Sequence, residues 1–118
     1  MNLEFNCIGT TLVGFGFGKT GRERAGLEIT EKIQRFSSLG KNAIDFQEGD
    51  FTWTLTLIIP LSAFFRHQIS DLSGLTAKAN FYKCGDELSN PHYISWRPID
   101  FAKPNFHLPE FFGDIVFT

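Results

Sequence analysis

The segment KPNFHLPEFFG, residues 103–113, gathers rings and polar groups suited to a flat, hydroxylated ligand. Phe106 sits between Asn105 and His107, and Phe111 and Phe112 precede Gly113. Pro104 and Pro109 exclude a regular helix or a central strand. They also fix the loop beforehand, which lowers the ordering cost of binding. Sugars present C–H faces that stack on flat rings, and their hydroxyls need polar side chains at the rim. Phe106 is therefore the ring expected to be presented. One of Phe111 and Phe112 is expected to be buried as a plug ahead of the last strand.

Other chemistries find less support. Cys84, Asp86, His92 and His107 are near one another in sequence, and Glu110 follows His107 by three. None of this matches a ligand spacing such as paired CxxC or HExxH. No cofactor is expected, with calcium alone left open by the turn oxygens of Asp45, Asp50, Asp86 and Asn90. Glycoside cleavage needs two carboxylates facing across a cleft. Glu4, Glu48, Asp50 and Glu110 are available, but no spacing pairs them. Ser62, Ser89 and Ser95 sit in no triad setting. GFGFGKTG, residues 14–21, resembles a phosphate loop only superficially. Counted from Gly14, the second required glycine falls at Lys19, and no apolar helix follows to supply a dipole. It reads as a glycine-rich hairpin.

The chain has 118 residues, enough for one domain. A net charge of −2, from 11 basic and 13 acidic residues, gives no reason to expect nucleic acid or an anionic membrane surface as partner. Fourteen Phe exceed the ordinary needs of a core this size, so some are free to line a site or an interface. Two cysteines, Cys7 and Cys84, are too few for a disulfide scaffold and read as buried thiols. The start MNLEFNCIG lacks the basic residues of a signal peptide, and LIIPL is far short of a membrane span.

The elements that must position these residues are short strands. LEFNCI (3–8) alternates, with Leu3, Phe5 and Cys7 on one face. TLVGFGFG (11–18) is strand-like, and KTGRERAG (19–26) is a charged turn. KIQRFSS (32–38) alternates again, with Ile33 directed away from Gln34, and is expected to pair with what precedes it. KNAIDFQEGD (41–50) is a loop. FTWTLTLIIP (51–60) is the strongest strand, with Trp53, Leu55, Leu57 and Ile59 on one face and Thr52, Thr54 and Thr56 on the other. LSAFF (61–65) reads as one helical turn, and HQISDLSGLT (67–76) as a linker. KANFYKC (78–84), HYISW (92–96) and GDIVFT (113–118) are further strands. No stretch carries a helix-length period, so the expected class is all-β. The architecture is an antiparallel β-sandwich, partial and immunoglobulin-like or jelly-roll-like, with little helix.

EFNCIGT (4–10), SSLG (37–40), IPLSAFF (59–65), NFYKCGDELSNPHYISW (80–96) and PNFHLPEFFGDIVF (104–117) together resemble carbohydrate-binding family 9-like domains of bacteria. That family belongs to a superfamily of sandwich domains that bind sugars or haem. The resemblance implies a module that binds saccharide without cleaving it, linked to polysaccharide breakdown and residing outside the cytoplasm. It places the later of two stacking rings at Phe106, where the family has Trp. It places polar site residues near Glu4, which replaces a basic residue, and Asn6. Trp96, Asn105 and His107 complete the expected ligand-binding set. It also implies that residues 1–118 form a single domain lacking the usual N-terminal strands. A bare sheet face is then expected to be covered in a homodimer. Three alternatives stay open: a hydrolase-associated module carrying hydrolase activity, a haem-binding relative, and a remnant that binds nothing.

Overall fold

The computed structural model describes residues 1–45 and 49–118. The expected loop at 41–50 therefore lies partly outside the described residues, as does Glu48. The chain divides into two compact units. The first comprises Met1–Gly16 and Gly21–Ser70, and the second comprises Phe17–Thr20 and Asp71–Thr118. The fold is all-β, every strand pairing is antiparallel, and the longest helical element among the described residues has four residues.

In the first unit, β1 (Asn2–Phe5), β2 (Thr11–Phe15) and β3 (Glu23–Arg24) form a meander. The glycine-rich segment is the β2–β3 hairpin, with Gly14 opposite Arg24 and Phe15 opposite Glu23. The β1–β2 turn is built by Asn6, whose side-chain oxygen accepts the N–H groups of Ile8 (3.2 Å) and Thr10 (2.7 Å). Such side-chain mimicry of a backbone turn is a preferred use of Asn. Gly9 completes the turn at φ +87°, where an L side chain is strained.

A short helix α1 (Leu27–Thr30) follows, which the sequence reading did not foresee. It is too short to show a 3.6-residue period, and it is held by packing rather than propensity. Its Ile29 packs with Met1, Leu3, Phe5, Ala25 and Phe65 against Val13, Ile33 and Ala63, the three fully buried hydrophobic residues among those described.

β4 (Gln34–Ser37) pairs with β5 (Leu55–Ile58), not with the segment before it. Segment 32–38 has no strand edge available behind it, because α1 intervenes. β5 is shorter than its sequence pattern. Trp53, Leu55 and Leu57 are half-buried and Thr52, Thr54 and Thr56 exposed, as alternation requires, but Ile59 turns outward ahead of Pro60. Pro60 opens a 3₁₀ turn at Leu61–Ala63, the expected single helical turn.

In the second unit, β6 (Thr76–Ala79) pairs with β9 (Gly113–Val116), and β7 (Tyr82–Gly85) pairs with β8 (His92–Ser95). Segment 78–84 is thus not one strand. It breaks at Asn80, whose side-chain oxygen accepts the N–H groups of Phe81 and Arg97, both at 2.9 Å. The Asn80 amide nitrogen donates to the carbonyls of Arg97 (3.0 Å) and Phe111 (3.2 Å). One side chain replaces several ladder bonds and lets the chain leave one sheet for another.

Candidate functional site

The β7–β8 register fixes which residues share a face. Tyr82 is opposite Ser95, and Cys84 is opposite Tyr93. Alternation then sets Tyr82, Cys84, Tyr93 and Ser95 on one face, and Phe81, Lys83, Ile94 and Trp96 on the other. Phe106 joins the first face. Its ring stacks on Tyr82, with centroids 4.3 Å apart and planes at 14°, and meets the edge of Tyr93 at 6.3 Å. One face of Phe106 is therefore covered, so the ring is presented on one side and not on both. Neither Phe111 nor Phe112 is fully buried, contrary to the expected plug: both are half-buried around a 3₁₀ turn at Pro109–Phe111.

The loop returns along β8 and borders a half-open cavity of about 210 Å³. Tyr93, Phe101 and Phe106 supply its aromatic walls, with Ser95, Lys103 and Asn105 as polar groups. Pro104 stiffens the loop between Lys103 and Asn105. The Asn105 side-chain oxygen accepts the N–H of His107 at 3.0 Å, so the local turn uses the oxygen and the amide nitrogen stays available. The Tyr82 hydroxyl is shut off from solvent and has no hydrogen-bond partner among the described residues. Burial pushes its pKa up. Asn80 lies beside it, but both ends of that amide already serve the backbone.

Two of the other expected residues, Trp96 and His107, are in the same unit but are not among the residues lining this cavity. Trp96 lies on the opposite face of the hairpin, tilted against Phe81 at 5.7 Å, with the Arg97 guanidinium 4.5 Å above its ring. Gly113 permits this stack, since a Cβ there would come within 3.1 Å of the Trp96 ring. His107 is half-buried and is not among the wall residues. Glu4 and Asn6 belong to the first unit. Glu4 is exposed on β1 and accepts a bond from the Asn2 amide nitrogen at 2.5 Å. Sequence reasoning missed Tyr82, Tyr93, Phe101 and Lys103 as neighbours of Phe106. The alternation of β7 and β8 carried the signal for the two tyrosines, but only the hairpin register puts them on one face.

Among the described residues, no three His, Cys, Asp or Glu side chains gather as a metal site. Cys7 is half-buried and Cys84 exposed, so the expectation of two buried thiols fails for Cys84, and neither forms a disulfide. No helix among the described residues is long and apolar enough to cross a membrane.

Comparison with known proteins places this geometry in context. No curated protein matches the chain. Among solved structures, it is similar to a candidate carbohydrate-binding protein from Bacteroides uniformis ATCC 8492, known from a crystal structure at 2.70 Å resolution. Identity is 43% and the TM-score 0.89, over 95% of this chain and 51% of that one. The present chain thus spans about half the length of that protein. The family model for carbohydrate-binding family 9 matches residues 1–117. The chain belongs to carbohydrate-binding family 9.

Proposed function

We propose that this chain binds a saccharide without cleaving it, in the cavity between β8 and the loop at 99–106, and that it serves polysaccharide breakdown outside the cytoplasm. The observation that carries the reading is the cavity itself. Aromatic rings form its walls, Asn105 and Ser95 are polar residues of its lining, and no carboxylate is among the wall residues. Rings supply flat apolar contact for a pyranose, and a few polar groups fix its orientation. A glycosidase would need two carboxylates across the cleft, and these walls offer none. At about 210 Å³ the cavity suits one sugar unit, with the remainder of an oligosaccharide outside. Family membership and the likeness to the Bacteroides protein support saccharide as the ligand class.

Calorimetric titration with glucose, cellobiose and xylobiose tests this reading, with Phe106→Ala as control. Binding by the wild type and its loss in the variant are expected. Equal binding by both would remove the cavity as the site. Release of reducing sugar from xylan by the purified chain would overturn the non-catalytic reading.

A further inference from the structure

We propose that the sugar held here is an anionic one, a uronic acid residue whose carboxylate pairs with Lys103. The inference rests on the saccharide-binding reading above and adds the chemical class of the sugar. Lys103 is the single charged residue among the cavity walls. It makes no ion pair and no hydrogen bond among the described residues. Asp100, the nearest acidic residue in sequence, interrupts the wall residues without contributing to the lining. Arg97, the other nearby cation in sequence, is occupied over the Trp96 ring on the far face of the hairpin. The cavity walls therefore carry one positive charge, and no negative one, beside aromatic rings.

A neutral hexose and a uronic acid share the same ring and the same C–H faces, so both can stack on Phe106, Tyr93 and Phe101. They differ at the substituent on C5, which is a hydroxymethyl group in one and a carboxylate in the other. That substituent extends from the edge of the sugar ring, where a cation at the cavity rim can reach it while the face of the sugar stays on the aromatic wall. A carboxylate there gains a charge-assisted hydrogen bond from an ammonium, stronger than one between neutral groups. Lys103 is exposed, so water weakens the pairing, and the gain is that of a surface ion pair. A preference of about three- to fivefold for the acidic sugar follows.

The test compares methyl β-glucuronide with methyl β-glucoside by calorimetric titration of the full chain. It is run at about 20 mM and about 500 mM sodium chloride, which shortens the Debye length severalfold. Expected are tighter binding of the glucuronide, loss of the preference at high salt, equal affinities in Lys103→Gln, and a reversed preference in Lys103→Glu. Lys103→Arg should retain the preference. Equal affinities in the wild type would overturn this inference and leave the saccharide reading standing. A preference that survives Lys103→Gln would overturn the assignment to Lys103. Acetate binding as tightly as the glucuronide would overturn the inference by showing a simple anion site. Absence of binding by either sugar would overturn both readings together.

Discussion

The ring of Phe106 lies flat on that of Tyr82, with centroids 4.3 Å apart and planes 14° from parallel. Stacking fixes the Phe106 ring before any ligand arrives, and Tyr93 braces it at the edge. Phe106→Ala should lower saccharide affinity at least tenfold, about 1.4 kcal/mol. Phe106→Trp should retain binding if the wider ring keeps the stack. Tyr82→Phe should preserve both the stack and the affinity. It also removes a buried hydroxyl with no partner, so stability should hold or rise by about 1 kcal/mol. Titration calorimetry and urea unfolding read the two effects separately.

Asn80 anchors the crossover between the two sheets of the second unit through four hydrogen bonds. Asn80→Ala strands the partner groups on Phe81, Arg97 and Phe111. At about 0.5–1.5 kcal/mol for each lost bond, and with water able to replace some, a loss of about 2–3 kcal/mol is expected. Asn80→Asp keeps the two accepting contacts and loses the two donating ones, so it should fall between the variant and the wild type. Equilibrium unfolding in urea checks the order.

Asn6 spends its side-chain oxygen on the β1–β2 turn, bonding the N–H groups of Ile8 and Thr10. Asn6→Ala should cost about 1 kcal/mol of stability, as loss of a comparable side-chain cap does. Its saccharide affinity should equal that of the wild type once the protein is folded. Gly9→Ala should cost more than a typical surface change. It forces a β-carbon into a positive-φ position and to 3.3 Å from the Arg35 side chain. Thermal melts together with titration calorimetry distinguish a turn role from a ligand role at Asn6.

Arg66 grips Glu23 through two bonds, of 2.7 and 2.5 Å. The hydrogen bonds from Arg66, followed by its charge, hold the Glu23 carboxyl below its ordinary value of 4.5. A lowered native pKa means that the pair's contribution is fully present above the unfolded value. It is lost as pH falls through the lowered native one. The difference in melting temperature between wild type and Glu23→Gln should therefore be positive at pH 7 and vanish in strong acid. Both side chains are substantially exposed, so the difference should be small and should shrink with added salt. Melting curves across pH and salt measure it.

The sequence alone determined the class of fold. Alternation in 3–8, 32–38 and 51–60 has period two, and a chain with that period and no helical one can bury its apolar side only as sheet. It also determined the family, because PNFHLPEFFGDIVF is a long and specific match. It marked the proline-stiffened loop around Phe106 for the same reason that it excluded a helix there: proline acts locally, whatever surrounds it.

What the sequence could not determine was pairing and face. The break at Asn80 depends on hydrogen bonds to Arg97 and Phe111, 17 and 31 residues away, and no local pattern contains them. The placement of Trp96 opposite Phe106 depends on the register of β7 against β8, where a slip of one residue exchanges the two faces. The use of the Asn6 oxygen in a turn likewise depended on which N–H groups came within its reach. Each of these is a relation between distant parts of the chain, and side-chain alternation along one strand is silent about which strand lies beside it.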